Sequence, residues 1–143
     1  MNRATRFSVA IHALAMLDRP SDHGSRTSSD AIAQSVGTNA SFVRRVLAML
    51  AHAGIVMSSP GIAGARLARP AREITLLDIY RAVGLEGEAR LGIHCSPSLN
   101  CPVGRRIQGA LATVVDAAEA AFEAEFRQRR LSDVLDVIAE PQS

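Results

Sequence analysis

The sequence predicts a mainly α-helical fold, a winged helix-turn-helix with a small two-stranded wing and a long helix near the carboxyl terminus. Three observations carry this expectation. The composition is 48% hydrophobic but only 3% aromatic, a mixture that favours packed helices over sheets rich in aromatic residues. The order of elements is helix, short helix, turn, helix and then two β-type runs. A later stretch, opening at Pro102, keeps apolar residues at helical spacing for roughly seven turns.

Each element has a local reason. Residues 4 to 17 place Phe7, Ile11, Leu14 and Leu17 on one stripe, and "DRP" ends that helix because proline cannot continue it. The polar loop "SDHGSRTSS" follows, and Thr27 or Ser28 can cap the short helix "SDAIAQSV", which Gly37 stops. After the turn "GTNA" a third helix runs from about Ser41 to Ala53 and is stopped by Gly54. The runs "IVMSS" and "ARLAR", separated by "PGIAG", form a hairpin. Thr75 then opens "TLLDIYRAV", with Asp78 placed to cap back. Residues 84 to 100 are irregular. The long helix runs from Pro102 to about Arg127, with Val103, Ile107, Leu111, Val114, Ala118, Phe122 and Phe126 on its apolar stripe, and "SDVLDVI" makes a last short helix.

At 143 residues the chain is the size of one domain. No apolar run approaches the roughly 18 to 20 residues that cross a bilayer. The amino terminus imitates a secretion signal, but "DRPSD" follows the apolar stretch where a small-residue cleavage site belongs. The expectation is a cytoplasmic protein, and in that reducing setting the two cysteines are not a permanent disulfide. There is no glycine-rich phosphate loop, no G-x-S-x-G and no HExxH, so an enzyme is not expected.

Charge is divided unevenly. Residues 1 to 72 hold nine Arg against three Asp, whereas residues 73 to 143 hold seven Arg against eleven acids. The basic half is therefore the half expected to meet an anion. Its third helix has two faces: Val43, Val46, Leu47 and Leu50 on one, and Ser41, Arg44, Arg45 and Ala48 on the other. The first face packs against Ile32 and Val36. The second presents two guanidinium groups where a recognition helix reaches base edges in the major groove. Arginines can also simply solvate an exposed face, but the charge balance and the hairpin favour double-stranded DNA as partner. Arg66, Arg69 and Arg72 offer further phosphate contacts, as do Arg3 and Arg6.

In their order and spacing, "RFSVAIHALAML", "SSDAIAQSVGTNASFVRRVLAMLAHAGIV", "RLARPAREITLLDIYRAV" and "NCPVGRRI" resemble the Rrf2 family of bacterial winged-helix transcriptional regulators, which includes the iron-sulfur regulator IscR and the nitric-oxide sensor NsrR. The resemblance covers nearly the whole chain. It implies a homodimer crossed by the long helix, two winged units reading a palindromic operator, and a sensing loop just ahead of that helix. It divides this chain into a DNA-binding region (1–83), a sensing loop (84–101) and a dimerisation region (102–143). Two departures stand out. The wing of the family usually carries an arginine where this chain has Pro60, with Arg66 as a substitute. The loop of iron-sulfur members typically holds three cysteines, and this one holds two.

Cys101 directly precedes Pro102, and proline favours the first position of a helix. Cys101 is therefore expected to cap the long helix, whose positive end, with Arg105 and Arg106 one turn inside, would favour its thiolate. Cys95 lies near enough in sequence to serve as its resolving partner. Members with "NCPVG" and no cysteine triplet resemble the thiol-oxidation branch of the family, which points to repression sensitive to oxidative or electrophilic stress without a cofactor. The alternative is an iron-sulfur or metal site built from Cys95, Cys101 and His94, with His12 added across the dimer as in some family members. A redox or scaffold protein that kept the winged fold without binding DNA is a second alternative.

Overall fold

A computed structural model describes residues 2–19, 27–58 and 64–141. A 3-10 turn over Arg3–Thr5, capped by Asn2, leads into α1 (Arg6–Asp18). Of the predicted stripe only Leu14 is fully buried, together with Val9, Ala10 and Ala13, while Phe7, Ile11 and Leu17 are half-buried. The reason is that α1 is central. Val9 and Leu14 join the main core, and Ala13 packs with Ile32, Ala33 and Val43 on another side. A helix covered on two sides buries its small residues, which allow close approach of its neighbours.

Helix α2 spans Ser29–Val36, with the Ser28 Oγ accepting the Ala31 N–H at 3.1 Å. Of the two expected capping residues, Ser28 is the one that caps. Gly37 ends the helix at φ 82°, a conformation that side chains disfavour. Helix α3 spans Ala40–His52 and starts a residue earlier than expected, because Asn39 Oδ1 accepts the Phe42 N–H at 2.8 Å. Phe42 joins Val43, Val46 and Leu50 in the core. The wing is short: β1 (Val56–Met57) runs antiparallel to β2 (Arg66–Leu67), pairing Val56 with Leu67 and Met57 with Arg66. Its tip, including Pro60, lies outside the described residues.

Helix α4 spans Leu76–Ala82 and opens with the expected capping box: Thr75 Oγ1 accepts the Asp78 N–H at 2.9 Å, and Asp78 Oδ2 accepts the Thr75 N–H at 3.0 Å. Replacing Thr75 by Ala removes the acceptor for the Asp78 N–H and leaves only the return bond from the backbone N–H at 75 to Asp78 Oδ2, with an expected cost of about 1 kcal/mol. A thermal melt should show the midpoint falling by roughly 3 °C. The same entry to α4 is braced by the end of the chain, where Leu76 N–H donates to Arg129 O at 3.0 Å and Leu131 N–H to Ile74 O at 2.8 Å. Ile74 and Leu131 are both fully buried, so α6 (Leu131–Ala139) is built into the winged unit.

Helix α5 spans Ile107–Gln128, five residues later than the predicted start at Pro102. Residues 102–106 instead form turns that mix three- and four-residue hydrogen bonds, Arg106 N–H and Ile107 N–H both reaching Val103 O at 3.0 and 2.9 Å. Gly104 explains the delay. It lies so close against the Ser98 carbonyl that a Cβ there would collide with the backbone, and this packing of loop on turn competes with a straight helical start. The two ends of α5 also differ. Phe122 and Phe126 pack on the core with Phe7 and Tyr80, whereas Val114 is 67% exposed and Leu111 38%, as is Val103 (67%) in the turns just ahead of the helix.

Candidate functional site

The basic face predicted on α3 exists. Ser41, Arg44, Arg45 and Ala48 are exposed on the side opposite Val43, Val46 and Leu50. The Arg44 Nη2 lies 3.9 Å from Asp30 Oδ1 of α2, both side chains well exposed. Such a pair contributes little in water, so it holds Arg44 loosely and can yield to a phosphate or a base. The Arg45 guanidinium stands over the Phe42 ring, 5.5 Å from its centroid. A core aromatic thus sets the direction in which one of the two arginines projects.

A cleft of about 450 Å³ runs between α2, α3 and the wing, lined among others by Thr27, Ser28, Arg44, Ala48 and Met57. Arg66, on β2, is exposed and extends this basic surface onto the wing, and Arg72 is exposed as well. Arg69 is different. Its guanidinium donates to Glu73 O at 3.3 Å and lies 3.8 Å from Asp78 Oδ2, so it braces the approach to α4. Arg3 pairs with Glu88 of the irregular segment, and Arg6 is half-buried. The expected contacts are therefore concentrated on α3 and β2, with Arg3 and Arg69 already engaged inside the chain.

The cysteine loop corrects one expectation outright. Cys101 does not cap the long helix, whose N-cap is Arg106; it begins the preceding turn, donating its N–H to Ser98 O at 3.3 Å and accepting from Arg105 N–H at 3.1 Å. The helix-end argument for its reactivity is therefore lost. What remains is access, because Cys95 and Cys101 are both exposed and neither is in a disulfide. Gln108 Nε2 donates to His94 O at 2.7 Å, tying the loop to the first turn of α5.

Iron-sulfur clusters are held mainly by cysteine thiolates, four ligands being usual. This chain has two cysteines. Among the described residues no three His, Cys, Asp or Glu side chains gather as a metal-binding group. His12 does not join the cysteines in one chain; its Nε2 lies 2.8 Å from Ser35 Oγ of α2, inside an apolar groove of about 640 Å³ walled by α1 and α6. The donor set of one chain does not fit a cluster.

Sequence reasoning missed the residue that fixes the loop to the fold. Arg90 pairs with Glu119 of α5, and its guanidinium lies over the rings of Phe122 and Tyr80, 3.3 and 5.0 Å from their centroids. An arginine in an irregular segment whose partners lie 10, 29 and 32 positions away, on two different helices, leaves no periodic signal. Gly104 was equally silent, although its place in "NCPVG" marked the stretch.

A two-stranded wing beside a solvent-facing, arginine-bearing third helix defines a winged helix-turn-helix of the DNA-binding type. Residues 3–137 match the model of the Rrf2 family, described as an iron-dependent transcriptional regulator, and the chain belongs to that family. YwnA of Bacillus subtilis, named as an HTH-type transcriptional regulator, is 38% identical over 132 residues, 92% of this chain and 96% of YwnA. A crystal structure of a protein named for DNA binding is 37% identical, with a TM-score of 0.71 over 91% of this chain and 98% of that one. T. potens IscR shares the fold at 20% identity and a TM-score of 0.65, covering 100% of this chain and 92% of its own. The family and YwnA are both described as transcriptional regulators, not by any catalytic activity. Among the described residues no helix is long and apolar enough to cross a membrane.

Proposed function

We propose that this chain is a cytoplasmic homodimeric repressor that reads a palindromic operator in double-stranded DNA. Its operator affinity changes when oxidants or electrophiles modify the loop cysteines. The division of labour is the one the sequence suggests: residues 1–83 bind DNA, 84–101 sense, and 102–143 hold the dimer. The observation that carries the reading is the juxtaposition of an exposed Arg44 and Arg45 face with the wing, and of two exposed thiols with the start of α5. Ser41, Arg66, Thr27 and Ser28 complete the contact surface, with Arg3 and Arg6 at its margin.

The redox step balances simply. Cys101 and Cys95 together lose two electrons and two protons to a peroxide, which leaves as two waters, and one sulfur-sulfur bond forms. Cys101 as the sensing thiol rests on its exposure and on its N–H donated to the Ser98 carbonyl, the group that packs on Gly104. A shift there alters where α5 begins, and with it the separation of two recognition helices that must meet half-sites about one helical turn apart. Operator selection from random DNA, run with reduced and oxidised protein side by side, tests the binding, the palindrome and the redox response together. Cys101→Ser should retain operator affinity within about twofold and abolish the difference between the two conditions, as read by fluorescence anisotropy. A redox difference of wild-type size in that variant removes Cys101 from the mechanism.

A further inference from the structure

The segment from 84 to 106 has no regular helix or strand, yet side chains distant in sequence tie it down. Glu88 pairs with Arg3 ahead of α1. Gln108 holds the His94 carbonyl, and Gly104 receives the Ser98 carbonyl in a space without room for a Cβ. Arg90 is the most heavily engaged. It pairs with Glu119, donates its backbone N–H to Glu119 Oε1 at 3.3 Å, and lies on the Phe122 and Tyr80 rings.

Those rings are not isolated. Phe122 lies 4.3 Å from Phe126 between centroids, Phe126 stacks on Phe7 of α1 at 5.1 Å, and Tyr80 meets Phe7 edge-on at 6.3 Å. One guanidinium therefore touches the loop's own partner helix, α4 and, through the rings, α1. The arginine is partly desolvated, its side chain 28% exposed and that of Glu119 29%, so both the ion pair and the cation-π contact are stronger than at an open surface. Beside it is a cleft of about 610 Å³ that the aromatic rings line. Withdrawing the guanidinium would open this cleft further and leave Tyr80 and Phe122 without their polar cover.

We propose that Arg90 is the positioning residue that transmits the conformation of the cysteine loop to the base of the winged unit. Seated, it locks α5, α4 and α1 in one arrangement; drawn out by a displaced loop, it lets the aromatic cluster repack. This rests on the reading that the segment is a sensor, but the coupling belongs to the chain and can be measured without DNA. Tyr80 is the single tyrosine and there is no tryptophan, so tyrosine emission reports on this cluster alone.

A double-mutant cycle supplies the test. Gly104→Ala forces the Ser98 backbone to move and should shift the emission and the ring resonances of Tyr80. In an Arg90→Ala background the same substitution should add nothing. Operator affinity should follow, changing about fivefold for Gly104→Ala alone and less than twofold when Arg90 is already absent. Arg90→Lys keeps a charge for Glu119 but not the flat stack, and should transmit only part of the shift. Glu119→Gln provides a second variant that weakens the same seat if Arg90→Ala does not fold. A Tyr80 signal that ignores Gly104→Ala, or that responds equally without Arg90, overturns the proposal. Intact operator binding with no coupling removes this proposal alone; intact coupling with no operator binding removes the functional reading alone.

Discussion

Replacing Arg44 and Arg45 together by Ala is expected to weaken operator binding by about a hundredfold or more while leaving the fold intact. An arginine held bidentately on guanine is worth about 1–3 kcal/mol of discrimination, and every 1.4 kcal/mol is about tenfold in affinity. A symmetric dimer loses each contact twice. The folded state loses little, since the Arg44 pair with Asp30 is exposed at 3.9 Å and the exposed Arg45 guanidinium, 5.5 Å from the Phe42 centroid, contributes about 0.5–1 kcal/mol.

The single substitutions should separate the two roles. If Arg45, directed by the Phe42 ring, reads a base, its loss relaxes preference at one position in each half-site. If Arg44, already exchanging with a carboxylate, lies on phosphate, its loss weakens all sequences alike and lowers the salt dependence by about one counterion per site. Fluorescence anisotropy at several salt concentrations, against operator and random duplex, reads both. Operator binding unchanged in the double variant would remove α3 as the recognition helix.

The elements that sequence made legible are those with local causes. The Ser28 cap, the Gly37 stop and the Thr75–Asp78 capping box all stand where their residue types require. The arginine face of α3 was legible because a helix has one period and one buried stripe. What sequence concealed is non-local. The start of α5 followed from proline statistics alone, but Gly104 packs on a carbonyl six residues back, and that contact decides where the helix begins. Arg69 looked like a phosphate contact until Glu73 and Asp78 were seen to face it. The loop's anchor, Arg90 on Glu119 and two aromatic rings, joins elements that only the tertiary fold brings together.

Placing Glu at both Leu111 and Val114 should convert the protein to a monomer and abolish high-affinity operator binding. The two residues stand three apart on α5, so they share a face, and both are exposed apolar side chains on the half of the helix that the core does not cover. The other half, through Phe122 and Phe126, is fixed to the winged unit. In the proposed homodimer this exposed half of α5 meets a second copy, and each side chain buried there would contribute about 1.5–3 kcal/mol. A carboxylate in the same place must be desolvated, so the double variant should weaken association by about a thousandfold or more. Sedimentation at micromolar protein measures this directly, while circular dichroism should stay unchanged because Val114 is 67% exposed within the chain. Operator affinity should fall with the dimer, since one winged unit reads only half a palindrome. A variant that remains dimeric would place the interface elsewhere; one that becomes monomeric yet binds operator as tightly as before would mean that the two half-sites are read independently.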